Sequence, residues 1–374
     1  MIIMASKMDI VDNNININKY TNRNTKRHVS FINNIAYWLK LNIKYINKAN
    51  KSIIIKYKKI LNQKDTNTLI KCIKYNINIV PIMYQLNNND IHLLKNKTFE
   101  YINIYMMKYF KHVKINRESI IKLLKISWRN GHIDGVKYLH KEFGLTKENF
   151  QSDYYVCLWA CEYGHINVVK FLHKKIGLTK EDFRSGDNYA CRLTCYNGHI
   201  DVVKYLHQDI GLTKDDFQSH DNFACQRACQ YGYINIVKYL HQNIGLTKDD
   251  FQSYDNFACR FACYYGHISV VKYLHQNIEL TKQDFQSDDN DVCEWTCRNG
   301  DIDVVEYLHK NIGFTKDDFQ TNNNLACLLA CENGHINVVK YLHQNIGLTK
   351  RDFQLCKNIH KNVIEYLLNE IKIT

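Results

Sequence analysis

The chain has 374 residues, of which 45% are apolar, so it is long enough to bury a sizeable core. It contains no run of about 18 apolar residues, so no transmembrane helix is predicted. Its first residues lack the basic region, apolar block and small-residue cleavage site of a signal peptide. We therefore expect an intracellular protein with reduced thiols and no membrane association.

The excess positive charge lies entirely in the N-terminal third. Residues 1–120 hold 21 Lys/Arg and 6 Asp/Glu, whereas residues 121–374 hold 29 basic and 31 acidic residues. A basic segment attracts nucleic acid or anionic lipid, but the Asn, Ile, Lys and Tyr bias also fits the codon usage of an AT-rich genome. Within this third, we expect residues 1–30 to be a disordered polar tail. Residues 31–117 read as a basic helical region with one or more degenerate repeats.

A repeat of 33 or 34 residues follows, and we place its array at residues 118–354. Seven copies begin at Gly131, Gly164, Gly198, Gly232, Gly266, Gly300 and Gly334. In the typical unit "GHIDVVKYLHQDIGLTKDDFQSHDNFACQRACQY", Ile200, Val203 and Leu206 have the spacing of one helix face. Gly211 is expected to end this first helix.

A second helix is predicted in "DNFACQRACQY", where the small residues share one face. Asp221 or Asn222 is predicted to be its N-cap. Between the two helices, Thr213 and Asp216 have the spacing of a capping box that starts a short helical turn. A helical pair of this size buries its apolar face only by stacking on neighbours, so the sequence predicts an all-α solenoid. The period alone leaves ankyrin-like and tetratricopeptide-like arrays open.

The residues of the repeat resemble the ankyrin pattern. Gly198-His199, Val202-Val203 and Leu206 match G-H, V-V and L of T-P-L-H-x-A-A-x-x-G-H-x-x-V-V-x-x-L-L. The resemblance covers about residues 118–368 and recurs seven times in register. The longer loop "GLTKDDFQSHDN" replaces the family's usual loop, so we expect a short helical turn in place of a β-hairpin finger. The residue sequence of the repeat looks most similar to the ankyrin families of giant DNA viruses such as Mimivirus.

The C-terminal segment, residues 355–374, reads as a capping helix. "HKNVIEYLL" from His360 matches "HINVVKYLH" from His335 after a shortening of nine residues. Atypical terminal units shield the open ends of a repeat array.

Twelve of the fourteen cysteines form six CxxxC pairs. Two thiols per helix, followed by a histidine such as His199, would suit zinc, but zinc requires four converging ligands. In the alignment, Cys225 and Cys229 fall where ankyrin repeats have a leucine and an alanine, which implies core packing. We therefore predict no metal site and no cofactor.

One histidine recurs in every unit. The seven members of this histidine column are His140, His173, His207, His241, His275, His309 and His343. We expect partly buried imidazoles that form hydrogen bonds between repeats. The alternative is a pH-sensitive spine that protonation would destabilise.

Two adjacent positions between the paired cysteines change from repeat to repeat, and a helical wheel turns them away from the core. Aromatic and Arg side chains are enriched at interaction hot spots. We predict a partner-binding stripe of Trp159, Arg192, Arg227, Arg260, Phe261 and Trp295. No catalytic motif is present.

The resemblance implies a non-enzymatic, monomeric scaffold for protein–protein interaction, with a host protein as partner and the host cytoplasm as its location. A nucleic-acid-associated factor tethered through residues 1–120 is the alternative.

Overall fold

A computed structural model describes residues 117–151, 155–286, 291–354, 356 and 359–372. The predictions for the tail 1–30 and for the basic region 31–117 therefore lie outside the described residues, except at residue 117. The nucleic-acid alternative concerns residues 1–120, of which only 117–120 are described. Within the described residues there is no β-strand. None of the helices in these ranges has the length and apolar character needed to cross a membrane. The repeats described below belong to one compact unit, residues 128–136 with 140–374.

The described ranges are built from helices joined by short turns. In chain order the α-helices are α1 (Arg117–Arg129), α2 (Ile133–Phe143), α3 (Lys147–Gln151), α4 (Tyr155–Glu162), α5 (Ile166–Phe171), α6 (Lys180–Tyr196), α7 (Ile200–Gln208), α8 (Lys214–Gln230), α9 (Ile234–Tyr239), α10 (Lys248–Tyr264), α11 (Ile268–Gln276), α12 (Lys282–Phe285), α13 (Asp291–Asn299), α14 (Ile302–Tyr307), α15 (Lys316–Phe319), α16 (Thr321–Glu332), α17 (Ile336–Tyr341), α18 (Lys350–Phe353) and α19 (Lys361–Tyr366). Helices α5, α9, α14, α17 and α19 each continue into a π-helical turn, over Leu172–Ile176, Leu240–Ile244, Leu308–Ile312, Leu342–Ile346 and Leu367–Ile371.

The companion helices, α5, α7, α9, α11, α14, α17 and α19, carry the apolar pair of each repeat. In α7, Val203 and Leu206 of the predicted face are fully buried together with the neighbouring Val202, whereas Ile200 is half-buried. After α7 the chain reverses at Gly211, which has a φ of 81° and is followed by a hydrogen bond from the Leu212 N–H to the Leu206 carbonyl, 2.9 Å. Helix α7 itself ends at Gln208, and the predicted reversal of the chain at Gly211 is confirmed.

The cysteine helices, α4, α6, α8, α10, α13 and α16, carry the CxxxC pairs. In α6, α8, α10 and α16 a left-handed turn precedes the cysteines, with three consecutive residues of positive φ at 186–188, 220–222, 254–256 and 322–324. Asp221 and Asn222 have φ values of 54° and 66°. The predicted N-cap at these two residues is therefore wrong. Asn and Asp tolerate the left-handed region better than most residues, which explains their presence here.

A short helix precedes each left-handed turn, as expected in place of a hairpin. In α8, the Thr213 N–H and hydroxyl both donate to the Asp216 carboxylate, at 2.7 and 3.1 Å, and the capping box is complete. The same box begins α6, α10, α12, α15 and α18. This prediction is confirmed.

Helices of the same kind pack against each other along the array. The cysteine helices contact in the order α4, α6, α8, α10, α13 and α16, and the companion helices in the order α5, α7, α9, α11, α14, α17 and α19. The repeats thus stack in a row as an ankyrin-type all-α solenoid. Helix α19 lies within residues 355–374, where the sequence predicts a capping helix.

Candidate functional site

The glycine at the start of each repeat, followed by histidine in five of the seven copies and by Tyr233 or Asp301 in the other two, lies at a joint between repeats. Gly232 has a φ of 72°, and a Cβ added there would lie 2.6 Å from the His267 ring of the next repeat. At other joints the corresponding ring nitrogen reaches a backbone carbonyl of the preceding repeat, as His199 Nε2 does to the Glu162 oxygen at 2.9 Å. The glycine therefore provides both the left-handed backbone and the room for the next ring. These histidines pack between neighbouring repeats.

The histidine column forms a second joint. Six of its members join the hydroxyl of a tyrosine in the next repeat at 2.9–3.0 Å, in the pairs His173–Tyr205, His207–Tyr239, His241–Tyr273, His275–Tyr307, His309–Tyr341 and His343–Tyr366. His140 is the exception because the next repeat has Phe171, and its Nδ1 instead meets the Leu145 carbonyl at 2.7 Å. The expected hydrogen bonds between repeats are confirmed, and the pH-sensitive spine stays a prediction.

The capping-box aspartates form a third joint. Asp250 accepts a hydrogen bond at 2.6 Å from Gln218 of the preceding repeat and lies 3.2 Å from the Lys214 ammonium group. Burial opposes its ionisation, but the bonds from Thr247, Gln218 and Lys214 outweigh burial and lower the pKa of Asp250. The equivalent glutamine is replaced by Arg184 at one joint, where the guanidinium donates to Asp216 at 2.8 Å.

The twelve paired cysteines line the core between repeats. All have an exposed fraction of 3% or less. Burial raises the pKa of Cys157 to about 12 and raises the pKa of Cys225 as well, so these thiols are protonated at neutral pH. The Cys259 thiol donates to the Asp284 carbonyl of the next short helix at 3.3 Å. Core packing, as the ankyrin alignment implies, is confirmed for the six pairs.

With these joints assigned, the variable positions remain. The first position of the pair is buried in four of the six repeats, at Leu158, Gln226, Arg260 and Glu294, and half-buried at Arg192 and Leu328. Arg260 is only 8% exposed and Gln226 only 5%. Their side chains donate to carbonyls five residues earlier in the left-handed turn, Arg260 to Asp255 at 3.3 Å and Gln226 to Asp221 at 2.5 Å. Arg192 likewise donates to the Gly186 carbonyl at 3.0 Å. The prediction that this position faces outward is wrong for Gln226 and Arg260, because the carbonyls of the left-handed turn draw these two side chains inward.

Arg260 also bridges two repeats. Its guanidinium forms an ion pair with Asp291 at 2.7 Å and lies 5.5 Å from the Trp295 ring centre. Both partners are on α13, the next cysteine helix. Arg260 therefore lies beneath the surface of the cysteine helices and holds the Trp295 ring in place.

The second variable position is half-buried in all six repeats. The Arg227 guanidinium sits between the rings of Phe223 and Phe257, at 4.8 and 4.9 Å from their centres, an arrangement that stabilises a cation on two aromatic faces. Its Nη1 donates to the side-chain oxygen of Gln230, so this bond leaves the positive charge unneutralised. Arg192 contacts the same Phe223 ring from the other side of the joint, at 5.8 Å.

An aromatic patch continues from Phe257 across two repeats. Its members are Phe257, Phe261, Tyr264, Tyr265 and Trp295. Phe257 and Phe261 stack with ring centres 3.8 Å apart, Trp295 and Tyr264 meet edge to face at 4.9 Å, and Tyr265 is 47% exposed. Such ring pairs hold one another in fixed orientations. The patch is a rigid apolar surface with polar tyrosine tips.

The structure thus links five of the six predicted stripe residues, Arg192, Arg227, Arg260, Phe261 and Trp295, through ring contacts. Trp159 is half-buried on α4, one repeat before Arg192. Sequence reasoning missed Phe223, Phe257, Tyr264 and Tyr265. The sequence does contain a signal for the two tyrosines. The two residues between the second cysteine and the following glycine are both tyrosine in one repeat only, at Tyr264 and Tyr265, and differ in the other repeats.

A separate cluster of thiols lies near the C-terminal end of the array. The sulfur atoms of Cys327, Cys331 and Cys356 all lie within 4.8 Å of one another. Hydrogen bonds from the other two thiols lower the pKa of Cys356. Among the described residues, this is the one group of three or more His, Cys, Asp or Glu side chains close enough to share a metal ion.

Comparison with known families agrees with this architecture. The family described as "Ankyrin repeats (3 copies)" matches residues 188–284 and 259–352, which span α6 to α18. A search of curated proteins finds no match to the chain. Residues 188–352 therefore carry ankyrin repeats, a type of repeat that generally mediates protein–protein interaction and is typically non-enzymatic.

Proposed function

We propose that the chain is a non-enzymatic scaffold that binds a protein partner on the cysteine-helix surface, with the aromatic patch at its centre. The observation that carries this proposal is the patch itself. Most of the side chains that recur in every repeat form contacts between repeats, whereas the patch occurs at one place in the array. Five aromatic rings concentrate on two adjacent repeats, and Tyr265 presents almost half of its surface to solvent.

The chemistry of the patch suits protein recognition. Tyr, Trp and Arg dominate binding energy at interfaces because they bury a large area at a low entropic cost. Here the entropic cost is lower still, since Phe257 fixes Phe261 and Arg260 fixes Trp295. The partly exposed charge of Arg227 beside the patch favours a partner segment that combines apolar side chains with a carboxylate.

We also propose that the partner is a host protein and that the chain acts as a monomer in the host cytoplasm. The support for a viral origin is the similarity of the repeat wording to the ankyrin families of giant DNA viruses. The Asn, Ile, Lys and Tyr bias of the chain points the same way. Expression in cells of candidate hosts, followed by affinity purification, fractionation of the cells and size measurement of the purified chain, tests the partner, the location and the oligomeric state in turn.

The decisive experiment compares variants of the patch. Partners captured by the wild type are identified, purified and measured for direct binding to Tyr265→Ala and to the double variant Phe261→Ala/Trp295→Ala. Removing one hot-spot side chain costs about 2 kcal/mol or more, and such costs are not additive, so we expect the affinity of the double variant to fall by at least the effect of one, about 30-fold.

The matched control is Leu193→Ala/Leu329→Ala, which truncates the same variable position in two other repeats. Circular dichroism and thermal unfolding establish that each variant is folded. If the folded double variant binds as tightly as the wild type, or if the control loses as much affinity, the patch is not the binding surface.

Nucleic-acid binding is the second candidate, and the charge of residues 1–120 favours it. Their 21 basic and 6 acidic residues would release counterions from a phosphate backbone. Binding to DNA or RNA that falls steeply with salt and is lost on deletion of residues 1–120 would support it. The patch variants would then bind nucleic acid as the wild type does.

A further inference from the structure

Three cysteines meet at one point of the array, whereas the other repeats, in the described part of the chain, bring only two thiols from one helix. Cys327 and Cys331 lie one turn apart on α16 and are fully buried, and Cys356 follows α18 with 9% of its surface exposed. The three sulfur atoms lie within 4.8 Å of one another. The side chains therefore converge from two separate segments, as metal ligands do.

The shortening of the last repeat produces this convergence. Cys356 lies four residues after Asp352, the capping-box aspartate of the last repeat. Four residues after the equivalent aspartate, earlier repeats have Gly186, His220, Tyr254 and Asn322. Those residues enter the left-handed turn that leads to the next cysteine helix.

After α18 the chain takes another route. The Cys356 N–H donates to the Phe353 carbonyl at 3.1 Å, and the His360 N–H returns to the Cys331 carbonyl at 3.0 Å. This path places the Cys356 side chain on the last thiol pair, where earlier repeats continue with another cysteine helix.

We propose that Cys327, Cys331 and Cys356 form a three-thiolate site for a thiophilic metal ion, with Zn²⁺ as the ion that the donor set favours. Thiolate sulfur selects zinc and other soft ions over magnesium or calcium. A Zn–S bond of about 2.3 Å places the sulfur atoms of a tetrahedral site about 3.8 Å apart. The observed upper limit of 4.8 Å needs a contraction of at most about 1 Å to reach that tetrahedral spacing, which side-chain rotation supplies.

The fourth coordination position is left for a non-protein ligand such as water. The three thiolates and this ligand together supply the four ligands that zinc requires, the ligand set of catalytic zinc sites, whereas most structural zinc sites have four protein ligands. The 9% exposure of Cys356 gives the ion a route from solvent and makes Cys356 the ligand at the opening. Binding releases the thiol protons to solvent, so the site needs no redox partner.

The role of the ion is to fasten the end of the array. It joins α16 to the segment between α18 and α19. Because the folded site binds the ion more tightly than the unfolded chain does, metal binding adds to the stability of the last repeat.

The test uses the full chain, reduced and freed of metal by a chelator, and titrates it with Co²⁺ as a spectroscopic substitute for Zn²⁺. We expect a sulfur-to-cobalt charge-transfer band and visible d–d bands that saturate at one ion per chain and vanish when Zn²⁺ is added. Cys356→Ser should weaken binding by more than about tenfold. Zn²⁺ should raise the Tm of the wild type and leave the Tm of Cys356→Ser unchanged.

Cys293→Ala is the matched control, because Cys293 occupies the place of Cys327 one repeat earlier and belongs to no three-thiol group among the described residues. It should keep the full cobalt signal. Cys327→Ser provides a second ligand variant if Cys356→Ser is poorly folded. The proposal is overturned if the wild type gives no thiolate-to-cobalt band, or if Cys293→Ala loses the band as Cys356→Ser does. It is also overturned if mass spectrometry of the untreated chain shows a disulfide among the three cysteines.

Discussion

Asp250 is a buried carboxylate at the joint between two repeats, and replacing it with alanine should destabilise the array by about 3 kcal/mol. The residue is 6% exposed. Its oxygens accept from the Thr247 N–H at 2.7 Å, the Thr247 hydroxyl at 3.1 Å and the Gln218 amide at 2.6 Å. One side chain therefore starts its own short helix and holds the preceding repeat.

The magnitude follows from these contacts. A hydrogen bond to a charged group contributes about 1.5–3 kcal/mol, and loss of a helix cap costs about 1 kcal/mol. The ion pair with Lys214 is partly exposed and contributes about 0–1 kcal/mol. After the Asp250→Ala substitution, the donors of Thr247 and Lys214 regain water, so the contributions do not add in full. At about 2–4 °C per kcal/mol for a chain of this size, the Tm should fall by about 6–12 °C.

Thermal unfolding followed by circular dichroism measures this effect, and Asp249→Asn is the control. Asp249 is the exposed neighbour in the first turn of the same helix, so its substitution should cost less than about 1 kcal/mol. The pKa of Asp250 is lowered in the folded chain, so its contribution is present above pH 3.8 and is lost as the pH falls through the folded pKa. The gap between wild type and Asp250→Ala should therefore close in acid. Equal Tm shifts for the two variants near neutral pH would refute the role of the joint.

Three further predictions concern the other joints and the core. Burial lowers the pKa of His173, His207 and His275 below the ordinary value of 6.5, so their contribution to stability is present above pH 6.5 and is lost as the pH falls through the folded pKa. The Tm should therefore be lower at pH 5.5 than at pH 7.5, and an unchanged Tm would contradict this. Gly232→Ala should lower the Tm strongly, because the added Cβ meets the His267 ring at 2.6 Å in a backbone conformation with a φ of 72°. Normal stability of this variant would show that the ring has room to move away. The paired cysteines should react with a thiol reagent only after denaturation, because burial raises their pKa and hides the sulfur atoms. Rapid labelling of the native chain, read by mass spectrometry of its peptides, would contradict the core assignment.

Much of the fold was predictable because its determinants are local. The capping box needs only Thr213 and Asp216 three residues apart, and the companion helix needs only the spacing of its apolar residues. The histidine column was also predictable as a joint, although its tyrosine partners, most of them 32 residues away, were not named. The solenoid follows from the recurrence of these local units.

The rest depended on geometry that the pattern does not contain. Asp221 and Asn222 suit an N-cap and a left-handed turn equally well, and only the path of the chain decides between them. That path turned Gln226 and Arg260 inward to the carbonyls of the turn. The aromatic patch required the register of neighbouring repeats, and the thiol cluster required the shortened path of the chain to Cys356.

The joints also bear on how such a chain changes in length. Each histidine of the six pairs meets a tyrosine one repeat later, and Gln218 meets an aspartate in the same way. If recombination removed residues 232–265, His207 would meet Tyr273 in place of Tyr239, and Gln218 would meet Asp284 in place of Asp250. The new contacts would be of the same residue types as the old ones. The gene can therefore gain or lose a 34-residue unit without the need for a new kind of contact between repeats. What the deletion would remove is Phe261 and most of the aromatic patch, so binding specificity can turn over while the architecture persists.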